Sequence, residues 1–207
     1  MKEINETPYV GLNDAAPLTK WLASARTNRV VPFLKGDMLE LGCGAATILD
    51  SSEVRKAISS YTGVEALESS ISELRTRYPD HSFYSFDLDT ITWPLEEKYD
   101  CVLALAVIEH LWNLKAIFLN LRRILIDDGL VIITTPTPYG NHVILRALAF
   151  IGLVRKDVID DHVTIFNKKL FMHACIEFGF KIERYQKFQF GGNQLVVLRK
   201  LPHPDEQ

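Results

Sequence analysis

Three acidic residues and one glycine bend carry most of the chemical information in this chain. The run Glu40-Leu41-Gly42-Cys43-Gly44-Ala45-Ala46 puts two glycines one residue apart, behind a short apolar stretch and ahead of a helical pattern. Glycine at such a turn lets the backbone bend sharply and come close to a ligand. Glu65 closes the next apolar stretch and Asp87 follows the one after it. In a doubly wound sheet, the carboxyl ends of the strands line the crevice that takes ligands. A carboxylate at Glu65 can accept both hydroxyls of a ribose, and one at Asp87 can accept a hydrogen bond from an adenine amino group. The plainer alternatives are a helix cap or a solvated charge at each acid, and a simple tight turn or a dinucleotide loop at the glycines.

Histidine supplies the second set of candidates. His110 follows the fourth strand, where an acceptor would sit, and an ordinary imidazole pKa of about 6.5 suits a general base. Its alternative role is structural, capping the next helix or bonding a loop carbonyl. His142 and His162 lie in the segment after the fifth strand, and either could serve instead. No group of residues reads as a covalent nucleophile site, and Cys43 reads as a small packing residue within the bend.

These residues need a scaffold, and the chain alternates apolar runs with helical patterns as an α/β protein does. A helix is expected from about Ala16 to Phe33, then a strand at Met38–Leu41, a helix from Ala45 to Ser59 and a strand at Tyr61–Glu65. Ser69 to Arg77 reads as a helix capped by Ser69, and Ser82–Phe86 as a third strand. Cys101–Leu105 and Leu130–Thr135 are continuous apolar runs, the mark of strands covered on both faces of a parallel sheet. A helix over Asn113–Leu125 ends before the turn Asp127-Asp128-Gly129. A last helix, Lys168–Phe178, stops at Gly179. Lys181–Phe188 and Gln194–Arg199 then alternate as a hairpin about Gly191-Gly192-Asn193.

The 207 residues fit one domain, with 47% hydrophobic and 24% charged residues, a formal charge of -3 and a pI near 6.1. That balance leaves no electrostatic footprint for nucleic acid. Cys43, Cys101 and Cys175 are scattered and lack CxxC spacing, which argues against a zinc site or disulfide framework and for a reducing, cytoplasmic setting. The polar N-terminus does not read as a signal peptide, and no apolar run is long enough to cross a membrane. The expected division is an N-terminal helical segment over 1–35 packed on the core, a domain over 36–200 and a loose tail over 201–207.

Taken in order, Leu39-Glu40-Leu41-Gly42-Cys43-Gly44, Gly63-Val64-Glu65, Asp87, Tyr99-Asp100, Val107-Ile108-Glu109-His110-Leu111, Leu125 through Thr135 and Gly179-Phe180 resemble the class I S-adenosylmethionine (SAM)-dependent methyltransferases. More narrowly, they resemble the small-molecule group typified by ubiquinone-biosynthesis methyltransferases. The resemblance spans roughly residues 36 to 200. It implies a doubly wound, three-layer α/β/α fold with a seven-stranded, mostly parallel sheet and an antiparallel last strand, in the Rossmann-like manner.

It also implies roles, with SAM as cofactor and S-adenosylhomocysteine as product. Gly42, Cys43 and Gly44 pass the methionine part, Glu40 meets its amino group directly or through water, and Glu65 with Ala66 holds the ribose. Asp87 with Leu88 frames the adenine, and Leu105 and Ala106 border the methyl donor. The chain departs from the family at Ala46, where a third glycine is common. Some relatives carry Glu-x-x-Glu-His as metal ligands; here Ala106 takes the first position, leaving Glu109 and His110, so no metal is expected. NAD is the rival for the bend, but a dinucleotide loop wants a third glycine, and Glu40 would repel a pyrophosphate.

The stretch from Asn141 to Val154 is unusually apolar for a connection. It reads as a lid or acceptor-pocket helix able to touch a membrane surface, or equally as an ordinary amphipathic helix on the core. The resulting expectation is methyl transfer to a small-molecule or lipid-like acceptor, without nucleic acid. An RNA or protein methyltransferase and a non-catalytic SAM-binding protein are the alternatives.

Overall fold

A computed structural model describes residues 17–145 and 162–202. Helix α1 (Pro17–Val30) runs through a short 3-10 turn, Val31–Phe33, into β1 (Gly36–Leu41). There follow α2 (Ser52–Ala57), β2 (Ile58–Glu65), α3 (Glu68–Arg77), β3 (Ser82–Ser85) and β4 (Tyr99–Leu105). The remainder is α4 (Leu114–Ile124), β5 (Leu125–Pro136), α5 (Lys168–Phe178), β6 (Phe180–Phe188) and β7 (Asn193–Lys200). One seven-stranded sheet forms in the order β3-β2-β1-β4-β5-β7-β6. Strands β1 to β5 pair in parallel, while β7 lies antiparallel between β5 and β6.

Strand pleating explains the three layers. Successive side chains point to opposite faces, so each central strand feeds two cores. Val102, Ile133 and Val196 join one cluster with Ile117 and Phe118 of α4 and Phe171 of α5. Their neighbours Leu103, Ile132 and Val197 join the other, with Val30 of α1, Val54 of α2 and Ile71 of α3. Helix α4 buries Ala116, Ile117, Asn120, Leu121 and Ile124, a stripe at helical spacing, and Asn113 caps it by accepting the Ala116 N–H at 3.1 Å.

Several boundaries depart from the sequence expectation for local reasons. The stretch from Ala45 to Ser59 is not one helix. Ala46 takes a left-handed conformation, a 3-10 turn covers Thr47–Asp50, and the extended Ser51 then caps the short α2. Ser69 is not a cap, because α3 begins at Glu68 behind Leu67. Strand β5 begins earlier than expected: Leu125 already pairs with Tyr99, and Asp128, at φ 60°, kinks the strand where a separate turn was expected. The hairpin turn covers Gln189–Gly192 rather than Gly191–Asn193, since Asn193 pairs with Phe188. Helix α5 matches its expected span, ended by Gly179 at φ 72°. Residues 1–16, 146–161 and 203–207, with most of the expected lid, lie outside the described residues. Among the described residues the three cysteines are buried and free, and no helix is long and apolar enough to cross a membrane.

Candidate functional site

Parallel register sets the acidic strand ends side by side. Glu40 on β1 pairs with Gly63 on β2, and Glu65 at the end of β2 pairs with Ser85 of β3. Past β1 the chain turns at once: Gly42 and Gly44 have φ of 62° and 53°, and the Cys43 N–H donates to the Val64 carbonyl at 2.9 Å. A side chain at Gly42 would strike Val107, with its Cβ 2.6 Å from Val107 Cγ2, whereas one at Gly44 would meet nothing within 4 Å. The bend therefore packs against the segment after β4 at Gly42 and stays open at Gly44.

Glu65 is the hinge of the arrangement. One carboxylate oxygen accepts the Gly44 N–H at 3.0 Å and the other accepts the Ala66 N–H at 2.8 Å. Each oxygen keeps a further lone pair for a donor from outside. Ser85 Oγ donates to the Ala66 carbonyl, tying the end of β2 to β3. Asp87 is exposed and accepts the Asp89 N–H at 2.9 Å. Leu88 is buried, and its carbonyl accepts the Trp93 indole N–H. Asp89, which no motif singles out, accepts both the Trp112 and Asn113 N–H groups and so fixes this turn to the start of α4.

Glu40 is placed differently from its neighbours. Its side chain is buried, accepts the Tyr61 hydroxyl at 2.6 Å, and has its pKa pushed up to about 8 by burial, with the Tyr61 bond pulling the other way. Cys43 is buried over Gly63, where a Cβ would stand 2.9 Å from its sulfur. Burial and the Glu40 and Glu65 charges push its thiol pKa up, so it is an inert packing group. At the end of β4, Leu105 leads into Ala106, whose φ is 56° and whose N–H donates to the Thr134 carbonyl.

A second polar group stands beyond Ala106. Val107 lies against Gly42, and a 3-10 turn, Ile108–His110, follows. The Glu109 carbonyl accepts the N–H groups of Val163 and Thr164 at 2.8 and 3.1 Å. That contact brings His162 to His110, with ring centroids 4.8 Å apart. His162 Nδ1 sits 2.5 Å from Asn141 Oδ1. Ligand atoms of Glu109, His110 and His162 all fall within 4.8 Å of one another. The Glu109 side chain is 2% exposed, and its Oε2 has no hydrogen-bond partner among the described residues. Burial pushes its pKa up to about 7, while its own backbone, the Thr135 hydroxyl and the Arg26 guanidinium hold it down. His142, by contrast, is exposed on the turn Gly140–Leu145.

The supports of this group escaped the sequence reading. Thr137 donates its N–H to the Gly192 carbonyl and its hydroxyl to the Gly191 carbonyl, and Gly140 comes so close to Gly192 that a Cβ would stand 1.8 Å from the Gly192 oxygen. The hairpin turn thus pins the chain leaving β5 and places Asn141. Gln194 is fully buried; its amide donates to the Pro136 and Phe166 carbonyls while Tyr185 donates to its oxygen. The one available hint was a glutamine opening an otherwise apolar strand. His162, from a distant segment, stands with the Glu109 and His110 of the turn after β4.

Comparison with known proteins bears on the family and the fold. Residues 18–185 match a family model described as a methyltransferase domain. A probable S-adenosylmethionine-dependent methyltransferase of Mycobacterium tuberculosis is 30% identical over 102 residues, 48% of this chain and 35% of that protein. A malonyl-[acyl-carrier protein] O-methyltransferase of Bacillus cereus is 31% identical over 100 residues, 47% of this chain and 36% of that protein. The chain thus aligns with about a third of the length of these curated relatives. Among solved structures, a chain of the complex between the Haloferax volcanii Trm112 methyltransferase activator and a methyltransferase superposes with a TM-score of 0.67. It is 15% identical and covers 87% of this chain and 89% of its own.

Proposed function

The chain belongs to the methyltransferase domain family, the class I fold that takes S-adenosylmethionine as methyl donor, and from that premise we propose that it methylates a small-molecule or lipid-like acceptor. The observation that carries the reading is the Glu65 carboxylate, held by the Gly44 and Ala66 N–H groups beside an open glycine bend. The residues present fit the cofactor. The open side of Gly44 admits the methionine end, Glu65 takes the ribose hydroxyls, and Asp87 with Leu88 frames the adenine. When bound, S-adenosylmethionine supplies a methyl group on a sulfonium. The chain's part is alignment, and orientation of this kind lowers barriers by roughly 7–11 kcal/mol. The main chain at Leu105 and Ala106 borders the transfer path, and an acceptor proton leaves through the Glu109, His110 and His162 group.

Calorimetry tests this directly. S-adenosylhomocysteine should bind the wild type with about 1:1 stoichiometry, and Glu65→Ala should weaken it at least ~10-fold, since hydrogen bonds to a charged group are worth about 1.5–3 kcal/mol each. Absence of binding heat with folded wild-type protein would overturn the reading.

The formal charge of -3 supports a small acceptor over nucleic acid, as does the Bacillus relative, whose name describes O-methylation of a carrier-bound acyl group. A macromolecular acceptor is the second reading, favoured by the Haloferax neighbour, which was solved with a methyltransferase activator. Binding of labelled RNA at moderate salt would select it. The apolar composition of residues 141–154 supports a hydrophobic acceptor or contact with a lipid surface. On that account wild type co-sediments with liposomes and Phe150→Glu does not; equal, negligible pelleting of both removes the lipid-surface idea.

A further inference from the structure

We propose that Arg26 of α1 anchors a carboxylate of the acceptor while Glu109 takes the hydrogen of a hydroxyl on the same molecule, so that the acceptor is a hydroxylated carboxylic acid. Assigning this space to the acceptor rests on the methyltransferase reading; the binding of an acid there does not.

Topology brings Arg26 to the ligand edge. Helix α1 feeds the beginning of β1 through Val31–Phe33, so its earlier turns lie toward the carboxyl ends of the parallel strands. Arg29, near the end of the helix, already rests its guanidinium on the Phe188 ring, 4.8 Å from the centroid. Phe188 pairs with Asn193, and Asn193 with Pro136 at the end of β5. Arg26 precedes Arg29 by nearly one helical turn and so stands closer still to the crevice. There its guanidinium and the Glu109 carboxylate are near enough for their charges to act on each other.

What the two side chains lack points to the ligand. Arg26 Nε and Glu109 Oε2 are both buried, and neither has a hydrogen-bond partner among the described residues, so neither satisfies the other. A buried donor and a buried acceptor left unmet are each costly. One molecule that offers an anionic oxygen to Arg26 and an O–H to Glu109 removes both costs. The planar fork of a guanidinium matches a carboxylate, which it can grip with two parallel hydrogen bonds. Phosphate suits the place less well, because its second negative charge would stand against Glu109. A purely hydrocarbon group would leave both atoms unmet.

The test is calorimetry on the full chain, with and without saturating S-adenosylhomocysteine. The probes are the monohydroxybenzoate isomers, benzoate, the matching monohydroxybenzamides and inorganic phosphate. At least one hydroxybenzoate should bind, more tightly than benzoate and at least ~10-fold more tightly than its own amide, while phosphate gives no heat. Arg26→Gln should weaken the acid at least ~10-fold and abolish the preference over the amide. Arg26→Lys, which keeps the charge but not the fork, should restore part of it. Glu109→Gln should erase the preference for hydroxybenzoate over benzoate. A merely structural Arg26 would move stability and leave these ratios unchanged. His173→Ala, a change on the exposed surface of α5, should bind every probe as wild type does. Cofactor heat without discrimination between acid and amide in the wild type overturns the anchor and keeps the methyltransferase reading. Acid binding that Arg26→Gln loses, in a protein that gives no cofactor heat, does the reverse. Equal acid affinity in wild type and Arg26→Gln, or phosphate bound more tightly than every acid, would also overturn the anchor.

Discussion

At the residue scale, packing rather than φ separates the two glycines of the bend. Gly42 and Gly44 are both left-handed, yet only Gly42 has Val107 where a Cβ would go. Gly44→Ala should therefore cost the conformational penalty alone, about 1–2 kcal/mol. Gly42→Ala should cost more, roughly 2–4 kcal/mol, as Val107 is displaced. Denaturant midpoints would show this, and equal losses would contradict the packing account. Glu40 adds a pH dependence. Its folded pKa of about 8 lies above the ordinary 4.5, because burial disfavours the charged form. An acid raised in this way stabilises the fold fully below pH 4.5, and that contribution is lost as pH rises through 8. Glu40→Gln keeps the shape and an acceptor for Tyr61. Its stability relative to wild type should therefore improve from about pH 6 to pH 9, and parallel pH profiles would refute this.

At the scale of elements, the β6–β7 hairpin does more than close the sheet. Its turn holds the chain leaving β5 through Thr137 and the Gly140–Gly192 contact, and Gln194 clamps the segment before α5. Gly140→Ala, facing a carbonyl oxygen at 1.8 Å, cannot be absorbed by a side-chain rotation. It should shift Asn141 and lower both stability and acceptor-side activity, with smaller effect on S-adenosylhomocysteine affinity. Gln194→Leu strands two buried carbonyls and should cost about 2–4 kcal/mol by chemical denaturation. A loss below 0.5 kcal/mol would show that the clamp carries no weight.

At the scale of the whole molecule, apolar residues on both faces make β1, β4, β5 and β7 the stable centre, while β3 and β6 are edges. Hydrogen exchange should follow that order. Val102, Ile132 and Val197, each 0% exposed, should exchange only on global unfolding. Amides of β3 and of the outer side of β6 should exchange through local opening. Equal protection across all seven strands would contradict it.

Much of this was legible in the sequence, because its signals are local. Alternation, continuous apolar runs and Gly179 located the central strands and α5, and breaks at the strand ends put Glu65 at the end of β2 and Asp87 just past β3. Where local signals misled, a local competitor won: the pattern from Ala45 to Ser59 looks helical, but Ala46 adopts a left-handed turn and Ser51 restarts the helix. Glu40, chosen as a partner for a ligand's ammonium, rests on Tyr61 from the next strand. The acceptor side was hidden for a different reason. Its parts come from α1, the turn after β4, the corner after β5, the segment before α5 and the start of β7. Only the closed sheet, with the hairpin turn folded against Thr137 and the Glu109 carbonyl gripping Val163 and Thr164, brings His162 to His110. The sequence by itself determined the strand ends and therefore the crevice. Which histidines meet across it was decided by contacts between residues far apart in the chain, which no periodicity encodes.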